Sequence, residues 1–318
     1  MSDARPTRRY RIVRNPAAGS KGGIPTNGVG PRELADLAAR HGLGSDIVEA
    51  DGEAAVQTAV RDAIAAGVDV VIAAGGDGTA GSVARQLLDG AAALAVLPLG
   101  SVMNIARALG IPRDLEAAAE LIPDGELRTI DTGEAESADG RRIPFLEAGS
   151  VGMNAAMFRE AARFEEGDWA SIVRTIWVAL RYRPARMRIE LDDRRVRTRA
   201  LMVTASIGPY TGAGMTVAPE ARLDDGRFDV RVFRGFSKWE LIRHLASIAF
   251  GRRRYAPHVS TYRSATVRIS SARPLPARAD GKDLGATPVT FRTRAASLRV
   301  IVPRSDERNA DAAVGPAS

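Results

Sequence analysis

An almost unbroken apolar run followed by a glycine-rich turn dominates the chain between Val68 and Leu88. The run consists mainly of valine and isoleucine, which is typical of a strand buried on both faces of a parallel sheet. It breaks into Gly75-Gly76-Asp77-Gly78-Thr79, after which apolar residues recur at helical spacing as far as Leu88. The pattern therefore predicts a buried strand, a glycine-rich turn and a helix.

Strand-like and helix-like patterns alternate over residues 10–130. The predicted strands are Tyr10 to Arg14, Asp46 to Glu49, Val68 to Ala74 and Leu94 to Leu97. Helical periodicity follows Pro31, precedes Gly67, and recurs in a short segment that ends at Gly110. This alternation predicts a doubly wound parallel α/β domain, with its glycine-rich turns at the carboxyl edge of the sheet.

Beyond Asp131 the pattern changes to short alternating strands separated by charged turns, as in Ile189 to Val196 and Phe228 to Phe233. We expect an antiparallel β-sandwich domain over residues 131–303. Two helical inserts interrupt it, around residues 169–180 and 238–250. Residues 304–318 are polar and alanine-rich, which predicts a disordered tail.

Composition narrows the class of protein. The 318 residues favour two domains, and the hydrophobic content of 45% with 26% charged residues is that of a water-soluble globular protein. The chain has no cysteine, which excludes disulfides, thiolate catalysis and cysteine-ligated zinc. The N-terminus has no apolar export signal. The net charge of +7 comes from dispersed arginines and is compatible with nucleic acid, an anionic membrane or phosphorylated ligands.

The turn after the buried strand has the residues of a phosphate site. Glycine lets the backbone approach a phosphate closely, and a helix N-terminus directs free N–H groups and a positive dipole toward it. Asp77 would repel a bare phosphate, so we interpret it as holding phosphate-bound Mg²⁺ or taking a proton from an attacking hydroxyl. The alternative is a plain glycine-rich turn with Asp77 as a helix cap. A second phosphate-friendly turn, Asn15 to Gly23, follows the first strand.

Several motifs in order resemble those of the diacylglycerol kinases and bacterial lipid kinases, whose fold is shared with sphingoid-base and NAD kinases. NPAAGSKGG resembles the first nucleotide loop, GGDGT is the central signature, and LPLGSVMNIARALGIP resembles the third motif. EAGSVGMNAAMF, GAGMTVAPEARLDDGRFDVRVF and ADGKDLGATPVTF follow in the family's order. The resemblance covers roughly residues 10–303, and it implies that the last strand, Leu298 to Val302, can return to the first domain.

The resemblance implies an ATP- and Mg²⁺-dependent kinase that phosphorylates a hydroxyl of a diacylglycerol-like or other amphipathic lipid, in phospholipid biosynthesis. Its partners would be the lipid and an anionic membrane surface, not nucleic acid, and its location would be the cytoplasm with peripheral contact at the inner membrane. The implied nucleotide residues are Asn15, Gly19, Gly75, Gly76, Gly78, Thr79, Ser101 and Asn104. Asp225 and Asp229 would bind a structural Mg²⁺; a plain turn is the alternative for Asp225.

The chain departs from the family pattern at three places, and the first is in the third motif, where the family's Thr is Ser101 and its Asn falls one position later, at Asn104. Gly81 and Ser82 stand where the family has Asn and Glu, and the DGE near the C-terminus, whose Glu is the family's general base, reads Asp280-Gly281-Lys282. We therefore expect Asp77 to act as the base, and Lys282 either to stabilise negative charge on the transferred phosphoryl group or to be a solvated lysine. An NAD kinase-like enzyme and a non-catalytic nucleotide-binding protein remain the alternatives.

The insert Phe236 to Tyr255 has the pattern of a membrane-surface helix. Apolar residues from Trp239 to Ala249 share one predicted helical face, and Arg252, Arg253 and Arg254 follow it. The alternative is that the apolar face packs on the second domain.

Overall fold

The computed structural model describes residues 8–18, 20–21, 24–25, 29–165, 174–175, 177–178, 181–212, 214–234 and 259–304. The membrane insert, Gly19 and residues 305–318 of the predicted tail lie outside this part of the chain. The described residues form two compact units, one within residues 8–130 and 296–304 and the other within residues 131–295.

The elements of the first unit come in chain order. They are β1 (Tyr10–Arg14), β2 (Ser20–Lys21), β3 (Ile24–Pro25), α1 (Pro31–Arg40), β4 (Ile47–Glu49), α2 (Gly52–Ala65), β5 (Val70–Gly75), α3 (Asp77–Leu87), β6 (Ala93–Pro98), α4 (Asn104–Ala108) and α5 (Leu115–Asp124).

The elements after α5 are mostly strands. They are β7 (Glu126–Glu136), β8 (Arg142–Phe145), β9 (Ala148–Gly152), α6 (Met153–Glu165), β10 (Ala185–Glu190), β11 (Arg195–Ala200), β12 (Met202–Ser206), β13 (Tyr210–Thr211), β14 (Met215–Thr216), β15 (Phe228–Phe233), β16 (Val259–Ser264), β17 (Thr266–Ser271), β18 (Pro276–Ala279), β19 (Lys282–Ala286) and β20 (Val289–Val302).

A parallel sheet forms the centre of the first unit. Its order is β4, β1, β5, β6 and the end of β20, and each neighbouring pair is parallel. Every residue of β5 and β6 is buried, as their apolar sequences predict. Helices α2 and α3 pack together, as do α1 and α5. The predicted doubly wound parallel α/β domain is confirmed.

Two antiparallel sheets form the second unit. One contains β11, β10, β17 and the first half of β20, and the other has the order β16, β15, β12, β9, β18, β19. Their inner faces share one core, in which the ring of Phe145 stacks on Phe228 at 5.8 Å and meets Phe291 edge-on at 5.9 Å. The predicted antiparallel β-sandwich is confirmed.

Strand β20 belongs to both units. Its first residues pair with β17, and Val300 pairs in parallel with Leu94 of β6. The change falls at Ala295 and Ala296, where Ala296 has a positive φ of 48°. The last strand therefore lies in the sheet of the first unit.

Candidate active site

The first two glycine-rich loops are joined by Asn15 and Thr79. Asn15 follows β1, and its backbone N–H donates to the Ala74 carbonyl at 3.1 Å, which fixes it beside the end of β5. Its amide Nδ2 donates to Thr79 Oγ1 at 3.2 Å, and its Oδ1 accepts from Ala17 N at 2.9 Å. Parallel neighbouring strands bring these two predicted residues together at the carboxyl edge of the sheet.

Two glycines of these loops are required by the fold. A Cβ on Gly75 would lie 2.5 Å from Thr79 Oγ1. A Cβ on Gly100, in the third loop, would lie 2.8 Å from Gly76 Cα and 2.8 Å from Met103 Sδ. The third loop therefore approaches the second backbone to backbone, as only glycine allows.

The other two glycines of the GGDGT turn face open space. A Cβ on Gly78 would meet nothing within 4 Å, and one on Gly76 would meet only Gly100 Cα at 3.8 Å. Neither has a positive φ, so the fold itself does not demand glycine there. Both lie at the N-terminus of α3, whose first amides have no acceptor within the helix. The residues present thus fit a phosphate group approaching the backbone.

Asp77 ties the central turn to the third loop. Its Oδ2 accepts from Asn104 N and its Oδ1 from Ile105 N, both at 2.9 Å. The carboxylate therefore caps α4, not the helix α3 to which it belongs. Each oxygen has further acceptor capacity for a metal ion or a hydroxyl. These two hydrogen bonds also hold Asn104, which is 1% exposed, next to the GGDGT turn.

The remaining nucleotide candidates lie at the rim of the third loop or outside the described residues. Ser101 is exposed, and its carbonyl accepts from Arg113 Nη2 at 2.9 Å.

Ser82 stands at the position of the family's Glu. Its hydroxyl accepts from Arg85 at 2.9 Å, and Arg85 forms an ion pair with Glu53 at 3.0 Å. The Ser82 hydroxyl thus lies beside an ion pair between α3 and α2.

In the second unit, the turn that carries Lys282 is fixed by Asp280. Its carboxylate accepts three successive backbone amides, from Leu146 at 2.8 Å, Glu147 at 3.0 Å and Ala148 at 3.2 Å. Asp280 has a positive φ of 44°, which is uncommon for a residue other than glycine and marks a constrained turn. Asp280 therefore holds the segment around Glu147 next to the Lys282 turn.

Lys282 and Asp283 lie on opposite faces of β19. Lys282 pairs with Ala279, whose side chain is in the sandwich core, and Asp283 pairs with Arg278. Asp283 forms an ion pair with Arg159 of α6 at 2.8 Å. Burial tends to raise the pKa of Asp283, but the hydrogen bonds from Arg159 and Gly285 N outweigh burial and lower it. The neighbouring acid thus does not replace the family's Glu.

The predicted metal ligands, Asp225 and Asp229, contact an arginine. Arg263 Nη2 donates to Asp225, and Arg263 Nε lies 3.9 Å from Asp229 Oδ2. Burial raises the pKa of Asp229, although Arg263 and Arg231 oppose the shift. Within the described ranges, no three His, Cys, Asp or Glu side chains converge on one point. The arrangement therefore does not fit a divalent ion at this pair.

Three side chains that contribute to these arrangements were not identified from the sequence. Asp131 is buried, and its Oδ2 accepts from Gly226 N at 2.6 Å. This hydrogen bond holds the acidic turn, which is the segment 217–227 between β14 and β15. The Glu147 carboxylate accepts from Gly212 N at 3.3 Å beside the Lys282 turn. Arg263 is the third. Of these three residues, only Glu147 belongs to a motif recognised in the sequence, EAGSVGMNAAMF.

A parallel sheet with glycine-rich turns at its carboxyl edge is the arrangement in which α/β proteins commonly bind phosphate-bearing ligands. Comparison with known proteins specifies the family. The model named "Diacylglycerol kinase catalytic domain" matches residues 9–135, and the one named "YegS C-terminal NAD kinase beta sandwich-like domain" matches residues 148–302. The chain belongs to the family of diacylglycerol kinases and bacterial lipid kinases.

Individual relatives agree with this assignment. The chain is 26% identical to a diacylglycerol kinase of Bacillus subtilis over 80% of its own length and 84% of the relative's. It is 28% identical to a diacylglycerol kinase of Mycobacterium tuberculosis, with coverage of 82% and 86%. A diacylglycerol kinase structure from Bacillus anthracis superposes with a TM-score of 0.67, covering 94% of this chain and 98% of the other. At 17% identity that likeness shows the shared fold.

Across the described segments, the helices are too short or too polar to cross a bilayer.

Proposed function

We propose that this protein is an ATP-dependent lipid kinase, which transfers the γ-phosphoryl group of ATP to a hydroxyl of a diacylglycerol-like or other amphipathic lipid. The observation that carries the proposal is the open space in front of Gly76 and Gly78 at the N-terminus of α3. A Cβ on either of these two glycines would not clash with the fold, whereas a Cβ on Gly75 or Gly100 would. Close approach of a phosphate explains why side chains are absent there. Kinase family membership supports the same conclusion.

The nucleotide would be held by the three loops of the first unit. The backbone amides of Gly76, Gly78 and Thr79 would face its phosphates, with Asn15 and Ser101 at the flanking loops. Gly19, which also belongs to the predicted set, lies outside the described residues. Mg²⁺ would accompany the phosphates and neutralise part of their charge, and Asp77 is the nearest carboxylate on this loop.

In the transfer, a lipid hydroxyl oxygen forms the new bond to the γ-phosphorus while the bond to the ADP oxygen breaks. The hydroxyl proton passes to a carboxylate, and Asp77 is our first candidate for it. Because the transition state is loose, charge neutralisation matters more than early deprotonation. Lys282 keeps the two alternatives that the sequence leaves open, a positive charge at the transferred phosphoryl group or a solvated side chain without a part in the transfer, and Lys282→Glu distinguishes them.

A labelled-ATP transfer assay against vesicles of defined lipids, with NAD and other soluble alcohols as controls, tests the proposal. We expect label in a lipid product that depends on Mg²⁺. Labelling of NAD instead would favour an NAD kinase-like enzyme. ATP binding without labelling of any acceptor would favour the non-catalytic alternative. The Asp77→Asn variant controls for contaminating kinases.

We also propose that the protein contacts anionic membranes through Phe236 to Tyr255, because the acyl chains of a lipid substrate remain in the bilayer. This segment lies outside the described residues, so the proposal rests on its sequence. Each of Arg252, Arg253 and Arg254 would contribute on the order of 1 kcal/mol at an anionic surface. In co-sedimentation, replacing all three by Ser should weaken binding to anionic vesicles at low salt and leave neutral vesicles unaffected. Equal binding by both proteins would contradict this.

A further inference from the structure

The acidic turn between β14 and β15 lies beside Asp229 of β15 and Asp131 of β7, so several carboxylates are near one another. Asp131 and Asp229 are buried, and Asp225 is 18% exposed at its side chain. A buried carboxylate needs hydrogen bonds or an opposite charge, because its desolvation is costly. What supplies that charge decides whether the turn needs a metal ion.

The charge comes from the neighbouring strand. Arg263 of β16 lies directly opposite Asp229 of β15 in the antiparallel register, so the two side chains project from the same face. Its Nη2 donates to Asp225, and its Nε lies 3.9 Å from Asp229 Oδ2. The guanidinium is a planar fork with five N–H donors, which suits it to bridge two carboxylates.

Backbone amides and a second arginine also donate to the carboxylates at this turn. Asp225 Oδ1 accepts from Arg227 N at 3.1 Å, and Asp131 Oδ2 accepts from Gly226 N at 2.6 Å. Asp224 Oδ1 accepts from Arg222 at 3.2 Å. A bound Mg²⁺ requires several oxygen ligands at about 2.1 Å in near-octahedral geometry. The carboxylate oxygens that would serve as these ligands accept from arginine and backbone donors instead.

We infer that Arg263 is the resident cation of the acidic turn and fulfils, within the chain, the role that a divalent ion would have between Asp225 and Asp229. An arginine is part of the chain, so a chelator cannot remove it. A bound metal would instead stabilise the folded state in proportion to its concentration. The two cases therefore differ in a measurement that does not involve kinase activity.

The experiment is thermal unfolding of the full chain, without nucleotide, in EDTA and in about 10 mM MgCl₂ or CaCl₂. We expect the midpoint of the wild type to change by less than about 1 °C between these conditions. A rise of several degrees with either ion that is lost in Asp229→Asn would overturn the inference.

Variants of the arginine test its charge. Arg263→Gln should lower the midpoint in EDTA by at least about 3 °C, because it leaves Asp229 buried without this partner. Arg263→Lys should recover at least about half of that loss, since it keeps the charge. As a matched control, Arg195→Gln removes an arginine that pairs with Glu190 on the surface, and should change the midpoint by less than about 1 °C. An Arg263→Gln variant as stable as wild type, or a Lys variant no better than Gln, would refute the role of the charge.

Discussion

The carboxylate of Asp77 accepts the backbone N–H of Asn104 at 2.9 Å, and so connects the central glycine-rich turn to the third loop. The second oxygen makes the same contact with Ile105 N. An aspartate that the sequence places at a phosphate site therefore also has a structural task. Variants of this residue will change both the chemistry and the geometry of the loops.

We predict that Asp77→Asn abolishes phosphotransfer and lowers the free energy of unfolding by about 1 kcal/mol. An asparagine has one acceptor oxygen, so it can satisfy only one of the two amides at the start of α4, at roughly the cost of a lost helix cap. Labelled-ATP transfer and urea unfolding of the same preparation measure the two effects. Turnover close to wild type would remove Asp77 from the catalytic residues.

The open space at Gly78 gives a test that separates binding from folding. Gly78→Ala should leave the protein as stable as wild type or more stable by up to about 1 kcal/mol, because alanine is the better helix former and meets nothing within 4 Å. ATP affinity should nevertheless fall by about tenfold or more if phosphate approaches this backbone. Calorimetric titration with ATP measures this.

Gly100→Ala is the contrasting variant. Its Cβ would lie 2.8 Å from Gly76 Cα, so it should destabilise the fold itself, by about 1–3 kcal/mol. Unchanged ATP affinity in Gly78→Ala would contradict a phosphate site at this turn, whatever the result for Gly100→Ala.

Lys282 can be tested by restoring the residue that the family has. We expect Lys282→Glu to leave activity unchanged or to raise it, because the side chain lies on the same face of β19 as the family's Glu would. Steady-state kinetics with the accepted lipid gives the answer, and Asp283→Glu is the control on the opposite face. A loss of a hundredfold or more, about 2.7 kcal/mol of transition-state stabilisation, would show that the lysine has its own role.

Local patterns in the sequence were sufficient for the elements and the fold class. The apolar run before GGDGT predicted β5, although the strand begins at Val70, because the N–H of Val68 still bonds to Ala63 O at the end of α2. Gly67 ends that helix with a positive φ of 67°, as expected for glycine at this position. Such features depend on residues only a few positions apart.

Contacts between distant segments could not be predicted in this way. The periodicity around Asp280 gives no information that its carboxylate bonds to the amides of Leu146 to Ala148. Likewise, nothing in LDDGRFDV indicates that Arg263 on the next strand contacts Asp225. The positions of carboxylates can be read from a sequence, whereas their partners depend on strand register and on tertiary packing.

The ion pair of Asp283 and Arg159 predicts how stability depends on pH. The pKa of Asp283 is lowered in the folded protein, so between that pKa and the ordinary value the unfolded chain binds more protons, and stability rises with pH. The contribution of the pair is therefore complete at neutral pH and is lost as pH falls through the folded pKa. Because both side chains are about half exposed, it should amount to no more than about 1 kcal/mol.

Urea unfolding of wild type and Asp283→Asn at a series of pH values measures this contribution. The variant should be less stable at pH of about 7, and the difference should shrink below the ordinary aspartate pKa of about 3.9 and disappear below the lower folded pKa. Arg159→Gln should weaken the same pH dependence, because it removes the donor that lowers the pKa. A difference between wild type and Asp283→Asn that stays constant over the whole range would show that the ion pair does not cause it.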